Sequence, residues 1–318
     1  MPRVLVTRPL PDTVLDPLRA FADTVVRDST APLGRDELVD SLRDFDAVLP
    51  TLRDTYDAAL FDAVPKPRAR LLANFGVGTN HIDTGAARRA GIAVTNTPGA
   101  VTEATADIGM MLILMSCRRA SEGERLVRAQ GWEGWHPTQL LGQHLGGKVL
   151  GIVGMGRIGK AIARRAHLGF GMEVVFFNRS PVADPGVPAR QLSTLDQVAS
   201  AADVLLLALP AAPETRRIVD DGVLRRMKPT AHLVNIARGD VVDEPALIAA
   251  LEAGRIAGAG LDVYEDEPRV PEALCRLEQV TLLPHLGTAA LEVREAMGLM
   301  AVENLRAFVE GRELPNPV

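Results

Sequence analysis

Length, composition and charge limit what this chain of 318 residues can be. Hydrophobic residues make up 47% of it, which is enough for two packed cores, and the length exceeds the usual size of a single core. The formal net charge of -5 argues against a nucleic-acid-binding surface. We therefore expect two domains and a small molecule or a protein as partner.

The cysteines and the apolar runs indicate where in the cell the protein is expected. Cys117 and Cys275 are the only cysteines, far apart in the sequence and outside any Cys-x-x-Cys spacing. They indicate neither a disulfide framework nor a metal knuckle, so no metal is predicted. Met1 leads almost directly into an apolar run, which leaves no room for a signal peptide. No apolar run approaches the roughly 20 residues of a membrane span. We expect a cytoplasmic protein with no membrane segment.

Short apolar runs alternate with helical patterns along the whole chain. This alternation predicts an α/β fold class with doubly wound parallel sheets, in which helices cover the faces of each sheet. The predicted strands are residues 4–6, 47–49, 71–73, 92–94, 149–153, 174–177, 204–209, 233–236 and 280–283.

Two long helical patterns organise the predicted domains. Residues 104–129 read as one long, largely apolar helix, and the segment that follows, with Trp132 and Trp135, reads as an elbow between two sheets. Residues 289–309 form the last helical pattern, which stops at the C-cap Gly311. Because the first domain needs a helix to cover its sheet, we expect this last helix to return to it.

A glycine-rich loop follows the predicted strand at residues 149–153 and opens a helical pattern. Such a spacing occurs by chance in many proteins, but this strand–turn–helix setting is the one that dinucleotide binding requires. The first glycine permits a tight turn, the second lets the backbone approach the pyrophosphate, and the third allows close helix packing. The predicted nicotinamide dinucleotide would bind this glycine loop, which comprises Gly154, Met155, Gly156, Arg157, Ile158 and Gly159.

The next predicted strand ends at Asn178, near the position where NAD-binding proteins carry an acidic residue for the adenosine ribose. Asn178, Arg179 and Ser180, the ribose turn, stand there instead. They remove a repulsive carboxylate and supply a guanidinium and a hydroxyl suited to a 2'-phosphate, which favours NADPH. The alternative is a surface Arg179 that stacks on the adenine, which would allow NAD as well.

Three predicted strand ends carry side chains for chemistry, and in a doubly wound sheet such ends face the ligand. Reduction of a 2-keto acid needs a cation for the carboxylate, a hydride donor and an acid for the carbonyl oxygen. Arg238 offers a permanently charged, bidentate group for the carboxylate. Histidines ordinarily titrate near neutrality, and Glu267 would favour the imidazolium form of His285. Each residue alone is weak evidence, and only their combination indicates a keto-acid reductase.

Four motifs stand in order along the second half of the chain. They are Gly-Met-Gly-Arg-Ile-Gly at 154–159, Asn-x-x-Arg-Gly at 235–239, Gly-Leu-Asp-Val-x-x-x-Glu-Pro at 260–268 and Leu-Pro-His-x-Gly at 283–287. Together they resemble the D-isomer-specific 2-hydroxyacid dehydrogenases over nearly the whole chain. The resemblance implies that three residues are catalytic, namely Arg238, Glu267 and His285.

The resemblance also implies a Rossmann cofactor domain inserted into a flavodoxin-like substrate domain. We predict the substrate domain at residues 1–99 and 289–318 and the dinucleotide-binding domain at residues 100–288. The segment 74–83 is similar to the family's substrate loop, in which the amides of Val77 and Gly78 would bind the substrate carboxylate together with Arg238 and His285.

Further cofactor contacts follow from the same resemblance. Thr105 matches a threonine near the nicotinamide, although a threonine at a helix start is just as often a plain cap. Asp262 matches an aspartate close to the same ring. Backbone contacts with the cofactor are implied at Leu209, Pro210, Ile236 and Gly287.

The ribose turn departs from the acid-bearing, NAD-preferring majority of the family and is similar to that of glyoxylate and hydroxypyruvate reductases that prefer NADPH. We therefore expect hydride transfer from NADPH, or NADH, to glyoxylate or hydroxypyruvate, giving the D-2-hydroxy acid. One alternative is an NAD-dependent phosphoglycerate or other D-2-hydroxyacid dehydrogenase. Another is a dinucleotide-sensing, corepressor-like binding protein, which shares the fold.

The long helical pattern at 104–129 and the elbow with Trp132 and Trp135 resemble the family's dimer arm. This resemblance implies a homodimer. The alternative is that the same apolar side chains pack within one chain.

Overall fold

The computed structural model describes residues 1–318, which divide into two compact units. Unit 1 comprises Met1–Val101 and Ala289–Val318, and unit 2 comprises Thr102–Thr288. Every strand pair in the two sheets is parallel, so the predicted α/β class with two parallel sheets is confirmed. No helix has both the length and the apolar character needed to cross a membrane.

Unit 1 contains a five-stranded sheet. Its strands are β1 (Arg3–Val6), β2 (Asp23–Val26), β3 (Ala47–Leu49), β4 (Leu71–Ala73) and β5 (Ala93–Thr95). They lie in the order β2-β1-β3-β4-β5, which is the flavodoxin-like order. The helices are α1 (Asp12–Arg19), α2 (Arg35–Asp44), α3 (Ala58–Ala63), α4 (Thr84–Arg89) and α12 (Leu291–Val309).

Unit 2 contains a seven-stranded sheet. Its strands are β6 (Val149–Val153), β7 (Glu173–Phe177), β8 (Ala189–Gln191), β9 (Val204–Leu207), β10 (His232–Asn235), β11 (Gly258–Leu261) and β12 (Val280–Leu282). They lie in the order β12-β11-β10-β9-β6-β7-β8. The helices are α5 (Thr102–Cys117), α6 (Ala120–Arg128), α7 (Arg157–Arg164), α8 (Leu195–Ala201), α9 (Asp221–Arg226), α10 (Glu244–Glu252) and α11 (Glu272–Arg276).

Each sheet is buried on both faces, and alternate side chains of a strand pack on opposite faces. In β9, Leu205 and Leu207 belong to one apolar cluster, whereas Val204 and Leu206 belong to the cluster on the other face. Successive side chains of a strand point to opposite faces, so a strand covered on both sides reads as a continuous apolar run. This explains why the central strands could be predicted from such runs.

The predicted single helix at 104–129 is wrong, because the chain breaks between α5 and α6. Arg119 adopts the left-handed conformation, with φ of 54°, and its guanidinium pairs with Glu122 in the first turn of α6. A left-handed residue cannot continue an α-helix.

Strands β2 and β8 were not predicted, and β11 was predicted only through its end, at residues 260–268. β2 and β8 lie at the edges of their sheets and mix polar with apolar residues, and β11 consists mainly of small residues. In β11 a Cβ on Gly260 would lie 3.1 Å from the Leu112 Cβ, so α5 packs directly on the strand backbone. Small residues in β11 allow this close approach, although they have a low propensity to form strands.

Candidate active site

The residues that the sequence motifs singled out in unit 2 follow the carboxyl ends of its strands, which a parallel sheet places along one edge. The glycine loop follows β6, the ribose turn follows β7, and Leu209 and Pro210 follow β9. Ile236 and Arg238 follow β10, Asp262 and Glu267 follow β11, and His285 and Gly287 follow β12. Strands β6 and β9 are neighbours in the sheet but not along the chain, so the strand order reverses between them, and ligands bind at such a switch point.

The glycine loop has the backbone geometry that a dinucleotide requires. Gly154 has φ of 98°, and a Cβ there would lie 2.6 Å from the Ala208 oxygen. A Cβ on Gly159 would lie 2.3 Å from the Gly154 oxygen, whereas a Cβ on Gly156 would meet nothing within 4 Å. The outer two glycines therefore serve packing, and the middle one leaves open space above the backbone.

Helix α7 begins in the glycine loop, and no side chain caps its first turn. The amides of such a turn have no partner within the helix, and the helix dipole places partial positive charge there. An anion such as a pyrophosphate would be bound by these amides. The residues of the loop thus fit a nicotinamide dinucleotide.

The ribose turn is joined to the glycine loop by the Asn178 side chain. Its Oδ1 accepts a hydrogen bond from the Met155 amide at 3.3 Å, and its Nδ2 donates to the Ser180 carbonyl at 2.9 Å. The side chains of Arg179 and Ser180 are exposed. The turn therefore presents a guanidinium and a hydroxyl next to the loop that would bind the pyrophosphate.

Glu267 and His285 form a hydrogen-bonded pair. The Nδ1 atom of His285 lies 2.9 Å from the Glu267 Oε2. The His285 side chain is 27% exposed and that of Glu267 is 25% exposed. The Tyr264 amide donates to the other carboxylate oxygen at 3.2 Å. Since Nδ1 faces the carboxylate, Nε2 is the ring nitrogen left for exchange of a proton with a ligand.

Electrostatics keep Glu267 ionised despite its burial. Burial raises the pKa of this carboxyl, but the hydrogen bond and charge of His285, the Tyr264 amide and the charge of Arg238 outweigh it, and the net pKa lies below its usual value. An ionised carboxylate stabilises the imidazolium form of the histidine that it contacts. The Arg238 charge acts on the same carboxyl, so all three predicted catalytic residues lie at one place on the edge.

Arg238 is held in a turn that depends on its motif neighbours. Asn235 donates from Nδ2 to the Arg238 carbonyl at 2.8 Å and accepts from the Ala237 amide at 2.9 Å. A Cβ on Gly239 would lie 1.8 Å from the Tyr264 carbonyl carbon, so only glycine lets the two loops meet. Burial lowers the pKa of Arg238, whereas the charges of Glu267 and Asp240 raise it. Because the ordinary pKa of an arginine is very high, the guanidinium stays charged.

Asp262 organises the segment that carries His285. Its carboxylate accepts from the amides of Leu286 at 2.6 Å and Gly287 at 2.9 Å, and its carbonyl accepts from the His285 amide at 3.0 Å. Thr105 donates from its hydroxyl to the Gly287 carbonyl at 3.0 Å. Burial raises the pKa of Asp262, although the amides of Leu286 and Gly287 and the charge of His285 oppose that rise. The structure therefore brings Thr105, Asp262 and Gly287 together.

In unit 1, the loop after β4 directs two amides away from its supporting side chains. Asn74 donates from Nδ2 to the carbonyls of Gly76 at 3.1 Å and Gly78 at 3.0 Å, and Asn96 donates to the Val77 carbonyl at 2.9 Å. In a trans peptide, the N–H points opposite to the carbonyl that precedes it. The amides of Val77 and Gly78 therefore point away from Asn74 and Asn96.

Comparisons with known proteins agree with this geometry. Residues 110–287 match the family described as D-isomer specific 2-hydroxyacid dehydrogenase, NAD binding domain. A glyoxylate reductase of Thermococcus gammatolerans is 42% identical over 323 residues, covering 100% of this chain and 96% of the relative. The chain belongs to this family. The resemblance noted from its motifs is thereby confirmed.

Two solved structures extend the likeness to the whole fold. The crystal structure of a Thermus thermophilus protein is 44% identical, with a TM-score of 0.92 and coverage of 99% of both chains. An NADPH-dependent glyoxylate/hydroxypyruvate reductase of Sinorhizobium meliloti, in complex with NADP and malonate, is 37% identical. Its TM-score is 0.86, with 100% of this chain and 96% of the other covered. This D-2-hydroxyacid dehydrogenase fold is therefore shared along its full length.

Membership of the family makes the chain an oxidoreductase with an NAD-binding domain, as predicted. Several residues of this dehydrogenase that support the site were not singled out for a role from sequence. Asn235, Gly239 and Tyr264 lie inside the quoted motifs, where their exact spacing was the available signal. Asn96 carries no such signal, because its partner Val77 is 19 positions away and only the folded sheet brings them together.

Proposed function

We propose that this dehydrogenase reduces small 2-keto acids, glyoxylate or hydroxypyruvate, to the D-2-hydroxy acid. The observation that carries the proposal is the Glu267–His285 pair beside Arg238, on the same sheet edge as the glycine loop. When bound, the reduced nicotinamide supplies the hydride to the carbonyl carbon. His285 donates the proton from Nε2 to the carbonyl oxygen, and Glu267 stabilises its imidazolium until the proton leaves. In the oxidation direction, the same nitrogen accepts the proton.

In unit 2, Arg238 would bind a carboxylate, because a guanidinium suits its planar oxygens and charge-assisted hydrogen bonds are the stronger kind. In unit 1, the amides of Val77 and Gly78 are proposed as substrate-binding groups in their own right. We assign substrate binding to unit 1 and dinucleotide binding to unit 2. The Sinorhizobium meliloti relative binds malonate, a small carboxylic acid, which supports this class of substrate.

We infer further that NADPH is preferred over NADH. The ribose turn replaces an acidic residue with Asn178, Arg179 and Ser180, and the exposed side chains of the last two can bind a 2'-phosphate. The relative that is described as NADPH-dependent holds NADP, which supports the same preference here. The other proposed cofactor contacts are the glycine loop and, near the nicotinamide, Thr105, Leu209, Pro210, Ile236, Asp262 and Gly287.

A homodimer formed through unit 2 is also proposed. Around α6 and the elbow, Trp132 is 53% exposed, Trp135 81% and Leu141 66%. Several large apolar side chains exposed in one segment are typical of an interface. Light scattering should give twice the mass of the chain, and Trp135→Glu should lower that mass. A monomeric wild-type protein would contradict the dimer alone.

The function is tested by steady-state kinetics with each keto acid and each nicotinamide cofactor. Arg179→Asp should lower the preference for NADPH by roughly 100-fold, because it replaces a phosphate-binding cation with a repulsive anion. Arg190→Asp is the matched control, since Arg190 is exposed on neighbouring β8 and the change in charge is the same. Equal preference in wild-type and Arg179→Asp protein would contradict the NADPH proposal. Absence of turnover with every small keto acid would contradict the reductase.

A further inference from the structure

The edge strand β8 places one side chain beneath the ribose turn. β8 pairs in parallel with β7, and Gln191 is the register partner of Phe176, two residues before Asn178. The Leu192 amide donates to the Phe176 carbonyl at 2.8 Å, which fixes the end of β8 against β7. Gln191 is half-buried, whereas its strand neighbour Arg190 is exposed.

The Gln191 amide group bonds only to backbone atoms of this turn and the residues after it. Its Nε2 donates to the Asn178 carbonyl at 3.3 Å and to the Ser180 carbonyl at 3.1 Å, and its Oε1 accepts from the Val182 amide at 3.0 Å. A primary amide offers two N–H donors and one carbonyl. The group therefore uses both of its donors and its acceptor on one short segment.

These bonds hold the backbone on both sides of Arg179. The carbonyl before this residue and the one after it both accept from Gln191, and Asn178 adds its own bond to the Ser180 carbonyl. Asn178 also accepts from the Met155 amide, so the turn is tied to the glycine loop at one end and to β8 at the other. A long side chain such as arginine binds better when its backbone is already fixed, because less freedom is lost on binding.

We propose that Gln191 is a positioning residue for cofactor selectivity, which holds the ribose turn so that Arg179 and Ser180 meet the 2'-phosphate. Gln191 itself does not touch the cofactor. The inference rests on the proposed preference for NADPH. It adds that this preference depends on a side chain 12 positions beyond Arg179, as well as on the turn residues themselves.

The test compares cofactor binding by wild-type protein, Gln191→Met and Gln197→Met. Methionine keeps the length of glutamine without its N–H donors or its carbonyl. Gln197 is the matched control, because its Oε1 accepts from the Ser193 amide at 3.0 Å near the start of α8, outside the ribose turn. Isothermal titration gives the Kd values for NADPH and NADH, and thermal unfolding shows that each variant is folded.

Gln191→Met should raise the Kd for NADPH by about tenfold, which corresponds to the net contribution of roughly one hydrogen bond. The Kd for NADH should change little. At saturating NADPH, kcat should stay at the wild-type value. Gln197→Met should alter neither Kd. Gln191→Asn, which is one methylene shorter and cannot reach both carbonyls, provides a milder variant and should change selectivity in the same direction.

The possible outcomes distinguish the role of Gln191 from the proposed preference for NADPH. A wild-type protein without selectivity for NADPH would overturn both. A selective wild-type protein whose selectivity survives in both Gln191 variants would overturn the positioning role alone. A parallel rise of both Kd values in Gln191→Met would also overturn it, because it would show a general structural role.

Discussion

Two histidines of unit 2 lie at opposite edges of one sheet and differ in what they can do. His285 follows β12 at the carboxyl edge, where its Nδ1 meets the ionised Glu267 at 2.9 Å. His232 begins β10 at the amino edge, is buried, and its Nδ1 lies 2.7 Å from the Ser116 hydroxyl. Burial lowers the pKa of His232 to about 4, so it is neutral at pH 7. Residue type alone therefore does not mark a candidate proton donor, and the carboxylate partner at the carboxyl ends of the strands is what distinguishes His285.

The difference also lies in the backbone. His285 has φ of 55°, a conformation that non-glycine residues rarely adopt, and Asp262 holds this strained segment through three hydrogen bonds. His232 lies in a regular strand between β9 and β11. Strain that persists in a folded protein is commonly found at functional sites, where neighbouring contacts maintain it.

The largest effect is expected from His285→Asn, which removes the proposed proton donor while asparagine tolerates the left-handed backbone. The kcat for keto-acid reduction should fall by about 1,000-fold, within the range for loss of a general acid. The Kd for NADPH should change little. His232→Asn is the matched control and should keep a kcat near the wild-type value. Equal losses of kcat in the two variants would remove the functional distinction between the histidines.

The stability of the protein should depend on pH through His232. Its pKa is about 4 in the folded protein and about 6.5 in the unfolded chain, so below pH 6.5 the unfolded state binds a proton that the folded state does not. Stability is lost as pH falls from 6.5 to 4, by about 3 kcal/mol in total. Urea unfolding at pH 7 and pH 4.5 measures the loss, and His232→Asn should lose less. An equal loss in that variant would contradict the pKa assignment.

Glu267→Gln tests the carboxylate partner. Glutamine keeps the size of the side chain but cannot stabilise an imidazolium, so kcat should fall by about 10- to 100-fold. The Kd for NADPH should change little. A kcat equal to that of the wild-type protein would show that Glu267 does not act through His285.

The smallest effect is expected from Ser116→Ala at the opposite edge. It leaves the buried His232 ring without the hydroxyl at 2.7 Å and should lower the free energy of unfolding by about 1 kcal/mol. Activity should be unchanged, because the contact lies away from the carboxyl ends of the strands. A kcat reduced in step with the stability would indicate that the two edges are coupled.

The sequence indicated the α/β class and the strand ends that carry the site, because buried parallel strands read as apolar runs and the motif glycines mark close backbone approaches. Gly239 and Gly159 illustrate this, since a Cβ at either would overlap a neighbouring backbone. The break at Arg119 was missed because the left-handed conformation has no signature in that residue type. Gln191 was missed for another reason: its role depends on hydrogen bonds that exist only once β8 pairs with β7.

Product analysis with glyoxylate and NADPH tests the proposed reduction most directly. Purified protein is incubated with both, and chromatography quantifies glycolate and NADP formed in the same sample. The carboxylate-paired histidine and Arg238 at the cofactor edge predict equal amounts of the two products, with neither formed by His285→Asn protein above background. Oxidation of NADPH without glycolate, or no oxidation with either glyoxylate or hydroxypyruvate, would contradict the assignment of this edge as the site of keto-acid reduction.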